Sequence, residues 1–360
     1  MTSRRATSPV PVAAEPLQID VEALIDPHLA AALAALDPLP SLLGGMARYH
    51  LGRVDAALTP VANGAVDRGK RIRPGVALLS CAAAGGDPAT AGPLAAAIEL
   101  LHNFTLVHDD IQDGSPIRRH RPTVWSIWGA GQAINAGDAL FAVSQLSLFR
   151  LAEAGVPPAL VLRLATAFNR MTAEIVGGQV LDLSFEGRDD VSPAAYLEMI
   201  SGKTAAIVRF AAWAGALLAG APEAVADRFG AFGRALGLGF QVRDDLLGIW
   251  GDPATTGKAA ADDIRRRKQS LPILLLRQCA NPAQRAELND LYARPEIEAA
   301  GIRRVLTLLA EHDVRSTVEA EVRGFHDQAH RKLLAATGEA PNRARDSLLL
   351  LLETLASREA

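Results

Sequence analysis

From about residue 21 onward, apolar residues run in long stretches that the strict alternation of a strand does not explain. Clusters of glycine and proline, such as GGDPATAGP (85–93) and EAGVPPA (153–159), cut them into segments of helical length. The pattern predicts successive helices packed on one another, an all-α chain. No composition shift marks a linker and no period of solenoid length recurs, so residues 19–360 read as one all-helical domain behind a tail at residues 1–18. From about residue 281 the chain is richer in charge and carries no clustered chemistry, which suits a helical cap on the core.

Composition supports this pattern. Hydrophobic residues make up 49% and aromatic residues only 5%, with Ala, Leu and Val carrying the apolar content, as expected of helices packed on helices. Lys and Arg number 37 against 40 Asp and Glu, so the net charge of -3 gives no general reason to expect nucleic acid or an anionic membrane as a partner. Cys81 and Cys279 lie far apart in apolar surroundings with no metal-ligand spacing, the usage of a reduced, cytoplasmic chain. The opening MTSRRATSPVPVAAEP has two arginines and three prolines but no apolar stretch of signal-peptide length. It reads as a disordered tail, and an address read by a protein partner has the same composition. The most apolar stretch, at 210–222, is too short to cross a bilayer.

Local charge is more informative. The run AAAIELLHNFTLVHDDIQDGSP (95–116) is an apolar helix pattern that delivers Asp109, Asp110 and Asp113 just before Gly114 and Pro116 can end it, with Asp109 and Asp113 on one face. Carboxylates at a helix C-terminus oppose the macrodipole by about 0.3–1 kcal/mol each, so three there imply positive charge opposite them. The run LGLGFQVRDDLLGIWGDP (236–253) repeats the design with Asp244 and Asp245. Either cluster alone could be a solvated helix end, but two together suggest a facing pair. Oxygen ligands without His or Cys suit a hard ion, and Mg²⁺ in particular is held by one or two carboxylates plus substrate phosphates, which makes a diphosphate the implied ligand. The loop lacks the alternation and distal Glu of an EF-hand.

Three short basic groups supply the counterpart: Lys70, Arg71 and Arg73 in GKRIRP; Arg118, Arg119, His120 and Arg121 directly after the first acidic cluster; and Lys258 and Lys268 flanking Asp262 and Asp263. Arginine offers a planar fork to phosphate oxygens and lysine a point charge. Any one of these groups could be a solvated patch, yet cations five and six residues after Asp113 are natural in a metal-diphosphate clamp.

With these residues in place, the chain resembles the polyprenyl synthetase family of trans-isoprenyl diphosphate synthases, which includes the farnesyl and geranylgeranyl diphosphate synthases. The resemblance runs through GKRIRP (69–74), LVHDDIQD with RRHRPT (106–123), AGDAL (136–140), GGQVLD (177–182), GKT (202–204), FQVRDD (240–245), GDPATTGK (251–258) and DDIRRRKQSLP (262–272), in the family's order. It implies an isoprenoid synthase-type helical bundle with a central active-site cavity, three Mg²⁺ ions per site and a homodimer. Asp109, Asp113 and Asp244 would be the metal ligands, supported by Asp110 and Asp245. Arg118, Lys203 and Lys258 would hold the allylic diphosphate, with Gln179 and Asp182 in support and Lys268 closing over it. Lys70, Arg73, His102 and Arg119 would hold isopentenyl diphosphate, and Thr204 and Gln241 would lie beside the reacting carbons.

The resemblance also implies a reaction: the allylic C–O bond ionises, the isopentenyl double bond attacks the cation, and the released diphosphate takes the proton. Two departures stand out, Gly248 where the second motif would carry a third Asp, and His120 where the family has Gly. Phe104, five residues before Asp109 and followed by the small Thr105, resembles the chain-length wall of geranylgeranyl diphosphate synthases, which predicts a C20 product with C15 as the alternative. More remote alternatives are a class I terpene cyclase and a catalytically silent partner subunit.

Overall fold

The structure, a computed structural model, describes residues 15–62, 64–252 and 261–356. Helices dominate it. Helices α1 (Val21–Ala34), α2 (Ser41–His50) and α3 (Ile72–Ala83) lead, through a short 3₁₀ turn (Pro88–Ala91), to α4 (Gly92–Gln112). A two-residue hairpin follows, β1 (Ile117–Arg118) paired antiparallel with β2 (Arg121–Pro122). Then come α5 (Val124–Trp128), α6 (Ala130–Phe149), α7 (Pro158–Phe185), α8 (Pro193–Ile200), a π-helical turn (Ser201–Ala205), α9 (Ala206–Leu218) and α10 (Glu223–Trp250). The remainder is α11 (Asp262–Arg265), α12 (Leu271–Cys279), α13 (Pro282–Ala293), α14 (Ala299–Glu311), α15 (Val314–Thr337) and α16 (Arg343–Ala356).

Local chemistry explains several boundaries. Asp20 caps α1 by accepting from the Ala23 N–H at 3.0 Å, and Asn281 with Gln284 forms a reciprocal capping box at the start of α13. The proline clusters that read as breaks supply the first-turn prolines of α4, α7 and α8. Helix α4 is apolar on all sides from Leu94 to Leu101 and fully enclosed there, apart from the buried Glu99, so it can only be central. It packs along α6, while α10 packs along α9 and α15. The first part of α10 enters one apolar cluster with α1, α3, α4, α6, α7 and α9, and its second part enters another with α8, α12, α14 and α15. Helices α4 and α10 are thereby held rigidly where their acidic segments emerge.

Small residues set how closely the backbones approach. A Cβ on Gly178 of α7 would fall 2.2 Å from the Lys203 nitrogen, and one on Gly202 would fall 2.8 Å from the Glu174 carbonyl, so α7 and the π-helical turn cross in backbone contact. The extra residue of that turn has no signature in the hydrophobic pattern. It is the kind of local irregularity that re-aims side chains at functional sites.

The ordered body begins earlier than the pattern suggested. Within the stretch expected to be tail, the Leu17 N–H donates to the Arg343 carbonyl at 3.0 Å, Ser347 Oγ donates to the Leu17 carbonyl at 2.7 Å and Arg343 Nε donates to the Glu15 carbonyl at 2.7 Å. These bonds use backbone groups that every residue possesses, so side-chain patterning does not announce them. Among the described residues no helix is long and apolar enough to cross a membrane.

The crossing of α7 and the π-helical turn generates a paired prediction. Gly178→Ala should destabilise the protein by about 1–3 kcal/mol through overpacking against the Lys203 backbone. Gly177→Ala, whose Cβ meets nothing within 4 Å, should be stabilising by about 0.5–1 kcal/mol through helix propensity. Urea denaturation of the two variants checks both signs.

Candidate active site

The end of α4 presents Asp109 half-buried, Asp110 buried and Asp113 exposed as the capping residue. The hairpin brings Arg118 back beside them, and its Nε donates to Asp110 Oδ1 at 2.8 Å. Asp110 Oδ2 is buried without a hydrogen-bond partner among the described residues. Burial raises the pKa of Asp109 despite the opposing charge of Lys203, and the nearby Asp113 adds to the rise. Burial likewise lifts Asp110 to about 6 against the pull of Arg118. These are crowded carboxylates short of positive charge.

Arg119 and His120 form the two-residue turn of the hairpin, both at positive φ, 49° and 60°. Two-residue hairpin turns of the tightest kind require this conformation, which costs little for Gly and more for any L side chain. That accounts for the departure at His120: the backbone there suits the Gly of the resembling sequences, and His120 adopts it regardless. The hairpin is pinned by Arg121, which donates to the carbonyls of Tyr49 and Val54, each at 3.1 Å, and lies over the Tyr49 ring at 4.1 Å. Arg121 is therefore a structural member of its basic group.

On α10, Asp244 is half-buried and Asp245 buried. Asp245 is held from three sides: the Tyr196 hydroxyl and the Leu271 N–H (3.1 Å) donate to Oδ2, and Gln241 Nε2 donates to Oδ1 at 3.2 Å. Thr204 Oγ1 in turn donates to Gln241 Oε1 at 2.8 Å, so the π-helical turn, α8, α10 and the start of α12 meet in one polar network. Burial and then the charge of Asp263 push Asp245 up to about 7, opposed by those three hydrogen bonds.

The cations converge from several elements. Lys203 Nζ contacts Asp182 Oδ2 at 2.5 Å. Arg73 Nη1 donates to His102 Nε2 at 3.1 Å, and since arginine only donates, His102 carries its proton on Nδ1. Burial, then Arg73, Arg119 and Arg118, hold the pKa of His102 well below its ordinary value, so the ring is neutral. A Cβ on Gly69 would fall 2.5 Å from Arg119 Nη2, so the missing side chain at Gly69 lets Arg119 lie against the segment that carries Lys70. Arg118, Arg119, Arg121, His50 and Asp67 enclose a cavity of about 20 Å³ between that segment and the hairpin. Burial works against the charge of Lys268, but Asp263, Asp113, Asp245 and Asp182 outweigh it and raise its pKa, which sets Lys268 in the field of both acidic clusters.

Some expected groupings divide. Arg71 pairs with Asp26 at 3.0 Å on α1, whereas Arg73 of the same GKRIRP group meets His102. Gln179 donates to Gln112 at 2.8 Å, tying α7 to the end of α4. Phe104 stacks edge-on to His108 and packs on Phe141, with ring centroids 4.8 and 5.4 Å apart, and Thr105 Oγ1 is spent on the His102 carbonyl at 2.8 Å. Lys258 lies outside the described residues. Sequence reading noted Asp263 between Lys258 and Lys268 without giving it a role, and it missed Tyr196, Glu99 and Phe141. Of these three only Glu99, a lone carboxylate in an otherwise apolar run, carried a visible signal: it is buried and its charge acts on Arg73 and Arg119.

Among the described residues no three His, Cys, Asp or Glu side chains converge closely enough to hold a metal ion unaided. The donor set itself is made only of oxygen, burial raises the pKa of Asp109, and Asp110 Oδ2 is an orphaned buried oxygen. That fits a hard divalent cation whose remaining ligands come from elsewhere.

Comparison with known proteins agrees with this geometry. A family model described as polyprenyl synthetase matches residues 55–309. The chain is 44% identical over 250 residues to a (2E,6E)-farnesyl diphosphate synthase of Mycobacterium bovis, covering 69% of this chain and 67% of that one. It is 38% identical over 328 residues to a geranylgeranyl diphosphate synthase of Mycobacterium tuberculosis, covering 90% and 89%. A crystal structure of a polyprenyl synthetase from Streptomyces coelicolor superposes with a TM-score of 0.83 at 37% identity, covering 93% of this chain and 97% of that one. The chain belongs to the polyprenyl synthetase family and is a short-chain trans-prenyltransferase with the all-α isoprenoid synthase fold.

Proposed function

We propose that this enzyme condenses isopentenyl diphosphate with an allylic diphosphate to give chiefly a linear C20 diphosphate. The observation that supports the reading is that α7 and the π-helical turn, in backbone contact at Gly178 and Lys203, reach both acidic helices, Gln179 donating to Gln112 at the end of α4 and Thr204 donating to Gln241 on α10. Asp109, Asp113 and Asp244 would hold Mg²⁺, three ions in the fully loaded site, which supplies positive charge to the departing diphosphate. Asp110 and Asp245 act behind them, Asp110 through Arg118 and Asp245 through its anchored carboxylate.

The chain's own groups then divide the work. Lys203, Arg118 and Lys268, with Lys258, bind the allylic diphosphate, and Gln179 and Asp182 hold that side of the site. Arg118 spends only its Nε on Asp110, so its two terminal nitrogens can turn to phosphate oxygens. Lys70, Arg73, Arg119 and the neutral His102 bind isopentenyl diphosphate, whose charge the half-buried arginines complement without metal. Thr204 and Gln241, bonded to each other, line the position of the reacting carbons. Apolar walls exclude water from the cation, and the released diphosphate accepts the proton.

Phe104, five residues before Asp109, packs on Phe141 with ring centroids 5.4 Å apart, and this pair supports C20 as the chain-length limit. The 44% identity to a farnesyl diphosphate synthase supports C15 as the second reading. The exposed apolar side chains Ile134, Leu146 and Phe149 on α6, with Leu162, Val176 and Val180 on α7, offer a face for a second copy of the chain, as a homodimer requires.

Three outcomes follow. Asp109→Ala and Asp244→Ala should each lower kcat by about 10²–10³-fold with folding intact, and turnover surviving in both would overturn the two-cluster mechanism. Incubation with isopentenyl diphosphate and dimethylallyl, geranyl or farnesyl diphosphate should give a linear C20 product by mass analysis. Phe104→Ala should lengthen that product; a cyclic hydrocarbon formed without isopentenyl consumption would instead mark a cyclase. Light scattering should show a dimer that Leu162→Glu with Val180→Glu dissociates, and a monomeric wild type rejects the dimer.

A further inference from the structure

Three arginines from the stretch between α2 and α3 converge on a pair of carboxylates one turn apart on α1. Arg53 Nη2 and Arg71 Nη1 both donate to Asp26 Oδ1 at 3.0 Å. Arg68 Nη1 donates to Glu22 Oε1 at 2.8 Å and lies 3.5 Å from Asp26 Oδ2. Asp26 is thus shared by all three, and Ile25 and Leu29 beside it are buried in the core, so its carboxylate stands on a fixed helix. The side chain of Arg71 is only 9% exposed, whereas that of Glu22, 3.7 Å from it, is 50% exposed, which makes Asp26 the stronger partner.

Arg71 holds φ 46° as the residue that opens α3, two positions after Gly69 at φ 80°. A residue with a side chain stays in the left-handed region only where its surroundings hold it there, and the ion pair to α1 supplies that hold. What depends on this bend is the isopentenyl side. Lys70 adjoins Arg71, Arg73 follows in the first turn of α3 with Nη1 donating to His102, and Arg119 lies against Gly69. We propose that Asp26 is a positioning residue for isopentenyl diphosphate: through Arg71 it fixes the backbone that carries Lys70 and Arg73 and that Arg119 rests on. It touches no substrate itself. The allylic side takes Lys203 and Lys268 from other elements, so the effect of Asp26 falls on one substrate. This rests on the reading that sets isopentenyl diphosphate on these cations, and deepens it.

Steady-state kinetics with each substrate varied in turn, together with the Tm of each protein, test the proposal. Asp26→Asn, close in shape to the wild type, should raise KM for isopentenyl diphosphate by about tenfold, with kcat and the allylic KM within about twofold. Arg71→Lys keeps the charge but loses the fork and should move the same KM in the same direction, which reads the proposal even where Asp26→Asn folds poorly. The two substitutions together should be no worse than Asp26→Asn alone, since both remove one contact. Arg53→Met is the control: it removes a bond of equal length to the same oxygen from outside GKRIRP, and should lower Tm while leaving both KM values near wild type. An unchanged KM for isopentenyl diphosphate in Asp26→Asn overturns the proposal. So do equal rises in both KM values, or the same rise in Arg53→Met, either of which marks a clamp that serves stability alone. Arg73→Lys tests the underlying reading separately: a KM rise for isopentenyl diphosphate supports it, and a rise confined to the allylic diphosphate overturns that placement whatever Asp26→Asn does.

Discussion

Carboxylates buried near one another cost free energy that only positive charge or hydrogen bonds can offset, and the architecture of this site follows from that constraint. Asp109, Asp110 and Asp245 all have raised pKa values, with burial the leading cause in each case. Arg118 is bent back by a hairpin to meet Asp110, and Lys203 is aimed by a π-helical turn. Lys268 is fixed by the Schellman turn that ends α11, in which its N–H donates to the Asp263 carbonyl and the Arg267 N–H to the Ile264 carbonyl, both at 2.9 Å. Each of these cations sits on an irregular piece of backbone between or beside the long helices. The helices supply rigidity, and the irregular pieces supply direction.

The same logic separates the two diphosphate sides. On the isopentenyl side, burial of Arg73 and Arg119 is offset within the protein by Glu99, and His102 stays neutral so that it adds no further repulsion. That side is close to balanced in charge without an ion. On the allylic side the carboxylates outnumber the cations that reach them, leaving a deficit suited to divalent metal. On the proposed reading one diphosphate would be taken with metal and the other without it, an asymmetry that follows from which charges are buried together.

Strain is placed where it serves this arrangement. Among the described residues seven non-glycine residues hold positive φ, and five of them, Arg71, Arg119, His120, Ala261 and Arg267, adjoin or belong to the expected site, while Leu58 and Asp313 do not. Left-handed backbone at non-glycine residues persists only where surroundings over-determine it. At Arg119 and His120 the pinning of Arg121 to Tyr49 and Val54 does so; at Arg267 it is the Schellman turn.

The sequence by itself determined the helical class, the two acidic helix ends and the order of the basic groups, because helical periodicity and clustered charge are properties of neighbouring residues. Asp109, Asp113, Asp244 and Arg73 stood out in this way, whereas Lys203 entered only through the family resemblance. Only the tertiary structure decided which charges meet. That Arg71 pairs with Asp26, that Tyr196 and the Leu271 backbone hold Asp245, and that Asp263 fills the space beside Gly248 are contacts between residues 26 to 49 positions apart, apart from the last, which spans an excursion of the chain. Such contacts depend on helix packing distances of a few ångströms, set by small residues such as Gly69, Gly178 and Gly248, and a sequence records those glycines without recording what lies against them.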